Sequence, residues 1–338
     1  MHLPGLDLDR LATWMDSELP GLRQGRLSGH RLTGGKSNLT YRVMDGASAW
    51  VLRRPPLGHV LPTAHDMARE YRVISALRDS SVPVPAALGL CRDESVLGAP
   101  FYLMEFVDGL VLDTAAALER VSGPAAARTG ELLVDTLVGL HSLTPGDTGL
   151  ADLGRGNGYL GRQVSRWLRQ WTASQTRPVP TLELVAAKLA ATLPEGQRVV
   201  IVHGDYRLAN AIFTRSADAI AAVLDWEMAT LGDPLTDLSL LMAYQALAAT
   251  RQCGLPAQPP SAGFLSPAAM AARYRRGTGA DLSRLDWYLG LSYFKLAVIA
   301  ETIRRRQLDG HSPGTTPAEI SDFAPDLLHA AWQSLAHE

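Results

Sequence analysis

The sequence predicts an α+β protein with an antiparallel-sheet region over residues 1–106 and a mainly helical region over residues 107–338. Three observations predict it. Short runs rich in β-branched and aromatic residues, joined by glycine-bearing turns, fill the N-terminal third. From Gly123 onward, apolar residues recur at helical spacing instead. A single strand–loop–hairpin stretch, residues 198–225, interrupts the helical pattern and concentrates polar residues in its loop. With 338 residues and 46% hydrophobic content, the chain can bury two modest cores or one divided core.

Residues 7–19 read as a leading helix. Strand signals follow at 30–33, 39–44 and 49–53, the last two joined by Asp45-Gly46, a hairpin turn pair. Gly34-Gly35-Lys36-Ser37-Asn38 joins the first two. Glycines there let backbone amides approach phosphate oxygens, and Ser37 and Asn38 add side-chain donors. The spacing is not that of a Walker loop, which argues against a P-loop nucleotidase. Arg53 ends the next strand as a permanently charged fork able to grip two phosphate oxygens. It shares a strand face with Val51, whereas Arg54 points the other way. A helix over residues 63–79 turns Met67, Tyr71, Ile74 and Leu77 inward, and Glu70 falls on the same buried stripe. A carboxylate there needs a cation, and Arg53 is the candidate. Val82-Pro83-Val84-Pro85 then leads into strands at 86–91 and 101–107.

In the helical region, residues 125–143 carry Leu132, Leu133, Leu137 and Leu140 at helix spacing. Residues 144–162, rich in Gly and Asp, read as a loop, followed by helices at 163–172 and 181–192. Strands at 198–202, 211–214 and 219–224 frame the polar loop. Asp233-Pro234 reads as an N-cap and first helical residue, and Asp237 in the first turn is placed to brace that loop. Helices at 267–277, 282–306 and 317–336 complete the chain, with 256–267 as a flexible connection. Trp287, Tyr288, Tyr293 and Glu301 are candidates to line a pocket, although each also fits core or surface.

Net charge of −2 supplies no general pull toward nucleic acid or an anionic membrane. Cys91 and Cys253 are the only cysteines, far apart, so neither a disulfide framework nor a zinc site is expected. The first residues lack the basic start and apolar run of a signal peptide. No stretch reaches the ~20 apolar residues of a membrane span, and the apolar segment 289–300 is broken by Lys295. The expectation is a soluble cytoplasmic protein, monomer or homodimer, that meets small molecules.

The chemistry concentrates in His203-Gly204-Asp205-Tyr206-Arg207-Leu208-Ala209-Asn210 and Leu224-Asp225-Trp226-Glu227. An Asp and an Asn five positions apart on a short turn can divide two tasks. One accepts the proton of an attacking hydroxyl, the other holds a divalent cation, and a second Asp at the next strand end completes the metal site. Any one of these residues alone would read as a turn cap. A metal-dependent hydrolase would need further His or carboxylate ligands at short spacing, which the sequence does not offer.

These residues resemble the aminoglycoside phosphotransferase family, a branch of the protein-kinase-like fold that phosphorylates small molecules. The resemblance runs from Leu32 to the last helices. Val51-Leu52-Arg53-Arg54-Pro55-Pro56 and the run from Leu224-Asp225-Trp226 to Gly232-Asp233-Pro234 resemble the subgroup whose kinase-like domain is found fused to acyl-CoA dehydrogenases. The resemblance implies a two-lobed protein-kinase-like fold with substrate specificity in the helical lobe. It implies Asp205 as catalytic base, Asn210 and Asp225 as magnesium ligands, and His203 as a support of the loop. It further implies ATP or GTP as co-substrate, its phosphates met by Gly35, Ser37, Asn38 and Arg53, with Glu70 completing the nucleotide site as the partner of Arg53. The Glu105 carbonyl and Val107 amide would meet the nucleotide base. The acceptor would be a hydroxylated small molecule. Arg in place of the kinase Lys, and Trp226-Glu227 where protein kinases have Phe-Gly, keep a second function open: a nucleotide-binding regulatory module without turnover.

Overall fold

The computed structural model describes residues 3–32, 38–57, 66–195, 198–250, 263–310 and 322–337. Its backbone groups into two units, one made of Met1–Gly109 with Ala221–Ala229, the other of Leu110–Ile220 with Thr230–Glu338.

The first unit opens with α1 (Leu8–Glu18), whose N-terminus is capped by Asp7 Oδ1 accepting the Asp9 and Arg10 amides. Then come β1 (Ser28–Arg31), β2 (Leu39–Met44), β3 (Ala49–Arg54), α2 (Met67–Leu77), β4 (Ala87–Cys91), α3 (Glu94–Leu97) and β5 (Phe101–Glu105). The strands form one antiparallel sheet in the order β1-β2-β3-β5-β4. Alternation in β2 buries Leu39, Tyr41 and Val43 on one face, where they meet Leu11 and Met15 of α1 and Leu103 of β5. β3 lies between β2 and β5, so almost its whole length is buried and both its arginines are held by packing. Asp66 caps α2, which packs on β4 and β5 with Met67, Glu70, Val73, Ile74 and Leu77 buried.

The second unit holds β6 (Leu110–Val111), α4 (Ala115–Leu118), α5 (Pro124–Ser142), α6 (Tyr159–Ser174), α7 (Thr181–Ala191), β7 (Val200–Val202) and β8 (Ala211–Phe213). The chain passes into the first unit along β9 (Ile220–Val223) and returns at β10 (Thr230–Gly232). α8 (Leu235–Thr250), α9 (Pro267–Thr278), α10 (Leu285–Leu308) and α11 (Ala324–Ser334) follow. β10 pairs antiparallel with β7, and β6 with β8. α10 is the central helix, packed against α6, α7, α8 and α11.

Several elements depart from the sequence expectation. α6 begins at Tyr159, inside the stretch read as a loop. Its start is set by Gly158 in the left-handed conformation at φ 68, a helix entry with no polar-cap signature. Leu132 is half-buried, while Leu133, Leu137 and Leu140 form the inner face of α5. β10 was not expected, and residues 221–229 group with the first unit although they fall within 107–338. Their anchor is local: the Val223 amide donates to the Pro83 carbonyl at 2.8 Å. Trp287, Tyr288 and Glu301 are buried structural residues of α10. The Trp287 indole donates to Leu189 O and the Tyr288 hydroxyl to Asp233 Oδ2, while Glu301 Oε1 accepts the Thr176 amide. The Gly34-Gly35-Lys36-Ser37 turn, Cys253 and the starts of the helices expected at 63 and 317 lie outside the described residues. So does most of the connection expected at 256–267.

Candidate active site

In the first unit the sheet aims one cation at two carboxylates. Arg53 Nη1 donates to Glu70 Oε1 at 2.6 Å and Nη2 to Asp225 Oδ1 at 2.9 Å. Arg54, on the opposite face, is committed to backbone, its Nη1 reaching Gly5 O at 2.6 Å and Leu97 O at 2.7 Å. Burial pushes the Glu70 carboxyl up to about 7, against the pull of Arg53 and with Asp225 and Glu227 adding to the rise. Burial would lower the Arg53 guanidinium, yet Glu70, Tyr102 and Asp225 hold it well above its ordinary value. One buried cation thus serves more negative charge than it can balance.

Asp225 follows β9 directly and sits at φ 68, in the left-handed region that Asp tolerates better than most side chains. The turn is pinned on its far side by Trp226 Nε1 donating to Val223 O at 3.0 Å and by Arg69 Nη2 donating to Ala229 O at 2.8 Å. Asn38 is buried, and its Nδ2 donates to Glu227 Oε2 at 2.9 Å while its Oδ1 is buried without a hydrogen-bond partner. Glu105 ends β5, its amide donating to Ala86 O and its side chain accepting the Ala86 amide, and Val107 lies half-buried just beyond. Gly35 and Ser37 lie outside the described residues.

In the second unit β7 delivers the chain to a turn at Gly204, whose φ of 83 suits glycine. Asp237, in the first turn of α8, receives this loop: its Oδ2 accepts the His203 amide at 2.7 Å and its Oδ1 the Gly204 amide at 2.8 Å. Burial would raise the Asp237 carboxyl, but the His141 hydrogen bond and charge, with those loop contacts, hold it below the ordinary aspartate value. His141 lies 3.4 Å from Asp237 through Nε2 and 2.8 Å from the Tyr274 hydroxyl through Nδ1. His203 is fully buried and accepts the Asp205 amide at Nδ1, 3.2 Å away, a supporting contact.

Asp205 and Asn210 meet across the loop. Asn210 Nδ2 donates to the Asp205 carbonyl at 2.9 Å and to Asp205 Oδ2 at 3.1 Å. Arg207 Nε lies 3.4 Å from the same Oδ2. Tyr244 hydrogen-bonds Asp205 as well, and burial together with the Asp205 charge pushes its phenol up, so it remains a neutral donor. With its amide nitrogen used in this way, Asn210 keeps its oxygen as the end suited to a cation. Asp225, 29% exposed, offers carboxylate oxygens in the first unit. Each is a hard oxygen donor of the kind magnesium takes alongside phosphate and water.

Sequence reasoning missed Arg207, Tyr244, Glu227 and Lys295. Lys295 had a readable signal, being the only charge in an apolar stretch, and such a charge must find a polar partner. It donates to the Gly204 carbonyl and lies 5.3 Å from the centre of the Trp167 ring.

A model of the phosphotransferase enzyme family, APH, matches residues 28–288. Acyl-CoA dehydrogenase family member 11 of Gallus gallus is 35% identical over 320 residues, which is 91% of this chain and 41% of the relative. Family member 10 of Mus musculus is 33% identical over 313 residues, 90% of this chain and 29% of the relative. The chain therefore spans well under half the length of these relatives. A crystal structure from Ralstonia eutropha JMP134, provisionally assigned as an aminoglycoside phosphotransferase, superposes with a TM-score of 0.83 at 29% identity, covering 98% of both chains. The α+β fold is thus that of the kinase-like phosphotransferases, as the sequence resemblance implied.

Proposed function

The chain belongs to the phosphotransferase enzyme family, and on that footing we propose that it is a small-molecule kinase carrying the γ-phosphoryl group of ATP or GTP to a hydroxyl. The observation that carries this reading is the Asn210 side chain bonded to Asp205, which orients a base and a metal donor together.

Asp205 orients the acceptor hydroxyl and takes its proton as the hydroxyl oxygen attacks the phosphorus. Asn210 keeps that carboxylate in one rotamer, and Asp237 holds the loop backbone beneath it. Asn210 and Asp225 would hold magnesium, which when bound neutralises the phosphate oxygens. Arg53 adds fixed positive charge for the phosphates, Glu70 sets its direction, and Asn38 closes the first unit's polar cluster through Glu227. The relatives' names favour hydroxyacyl thioesters among the acceptor candidates, alongside sugars, amino alcohols and antibiotics.

Two variants test the assignment. Asp205→Asn should lose phosphoryl transfer by ~10³-fold or more, the scale of a positioned base, while nucleotide binding by calorimetry persists. Asp225→Ala should instead weaken magnesium-dependent nucleotide binding. Full turnover by Asp205→Asn on an acceptor found by screening hydroxylated metabolites would remove the catalytic role. Nucleotide binding without consumption across that screen would favour the regulatory module.

A further inference from the structure

Lys295 opens onto a cavity of the second unit that the roles above do not use. α10 carries its ammonium beneath the catalytic loop, where it donates to the Gly204 carbonyl, one residue before Asp205. The ring of Trp167, from α6, faces it at 5.3 Å, within cation–π range. The half-open cavity, about 30 Å³, is lined by Lys295, Trp167, Gly204, Gln163, Ser292 and Asp237 among others. That volume takes roughly two waters, or one terminal group of a larger molecule.

The charges in this corner are unevenly matched. Asp237 directs both oxygens at the His203 and Gly204 amides. Asp205 is engaged by Asn210 and Arg207. Lys295 has one carbonyl and one aromatic face as partners, and an ammonium carries three donors. Burial lowers the Lys295 ammonium from its ordinary value, with Arg166 and Arg207 adding to the fall and Asp205 and Asp237 opposing it. Lys295 thus has donors to spare beside carboxylates already engaged, Asp237 through both oxygens and Asp205 through Oδ2.

We propose that Lys295 is an acceptor-specificity residue: the cavity it lines receives an anionic oxygen group, a carboxylate or a phosphate, borne by the molecule whose hydroxyl reaches Asp205. The proposal rests on the small-molecule kinase reading and narrows its acceptor. An oxyanion gains the ammonium's unused donors and the partial positive edge of the Gln163 amide. A cationic acceptor such as an amino alcohol or an aminoglycoside meets like charge there, and like-charge contact is how a site rejects the wrong partner. A neutral diol gains neither.

The test compares matched probes. Binding of lactate, 3-hydroxybutyrate and glycerol 3-phosphate is measured by calorimetry against 1,2-propanediol, 1,3-butanediol, glycerol and ethanolamine, using the full chain as wild type, Lys295→Met and Lys295→Arg. At least one oxyanion probe should bind wild type ~10-fold or more tightly than its uncharged counterpart, the scale of one charge-assisted hydrogen bond. Lys295→Met should erase that ratio and Lys295→Arg should keep most of it. The carboxylate and phosphate arms identify the source of the oxyanion. Equal binding of acids and diols by wild type, tighter binding of ethanolamine, or a ratio that survives in Lys295→Met would overturn the proposal. The wild-type ratio decides even if Lys295→Met does not fold. Because binding is read without turnover, a protein that prefers oxyanions yet never consumes nucleotide would fail the kinase reading while keeping the subsite.

Discussion

Glu70 and Arg53 contribute unequally to their ion pair, because Arg53 divides its fork between Glu70 and Asp225. The Glu70 carboxyl, fully buried, is raised from 4.5 to about 7. A folded-state value above the unfolded one means the native protein binds the extra proton. Stability from this group is therefore complete below about pH 4.5 and is lost as pH rises through 7. At neutral pH its charge is worth little, whereas its shape and one hydrogen bond still matter. Glu70→Gln should change unfolding free energy at pH 7 by less than ~1 kcal/mol, within the range of one hydrogen bond. Its stability should gain on wild type as pH rises from 5 to 8 (~ the window set by that shift). Glu70→Ala leaves Arg53 half-matched in a cavity and should cost ~3–5 kcal/mol. Urea titrations across pH check both, and equal losses for Gln and Ala would contradict the argument.

At the level of elements, the loop at 203–210 keeps its shape because the first turn of α8 accepts two of its amides through one carboxylate. Asp237 is held below the ordinary aspartate value of 3.8. For a depressed carboxyl the stabilisation is present above the unfolded value and disappears as pH falls through the folded one. Asp237→Asn keeps one acceptor oxygen and loses the charge, so it should destabilise by ~2 kcal/mol at pH 7, as for a hydrogen bond to a charged group. The gap to wild type should narrow below about pH 4, and denaturant midpoints at successive pH values would show it; a gap independent of pH would count against the bracing. Asp237 was readable from sequence because Asp-Pro marks the start of α8 and puts Asp237 one turn inside it. β2 and α2 were readable for the same kind of reason, an apolar period carried through the whole element. α6 was not, since its first turn depends on the backbone of Gly158 rather than on a capping side chain. β10 was not, because Thr230, Leu231 and Gly232 pair only through contact with β7, and three residues hold no period. Lys295 showed as an interruption, but which carbonyl and which aromatic ring would receive it depends on how α10 meets α6 and the loop.

Across the whole molecule, the path of the chain makes the first unit depend on residues far along the sequence. Residues 1–109 hold its sheet and α2, but hydrogen bonds among the described residues tie them to residues 221–229. Val223 donates to Pro83 O, Arg69 to Ala229 O, Arg53 to Asp225 and Asn38 to Glu227. No helix among the described residues is long and apolar enough to cross a membrane. Cutting at residue 109 removes the second carboxylate from a buried Arg53 and leaves Asn38 without its acceptor. A fragment of residues 1–109 should therefore be less stable than the same fragment carrying residues 221–229 on a flexible Gly/Ser linker, by at least ~3 kcal/mol, the scale for stripping one partner from a buried charge. Urea midpoints of the two fragments measure the difference directly. Adding Arg53→Met to both should shrink it, because the largest part of the gain is then absent from each. Matching midpoints for the two fragments would mean that the segment bearing Asp225 is a passenger on the first unit, and the Arg53–Asp225 bond would lose its place as the tie that holds it there.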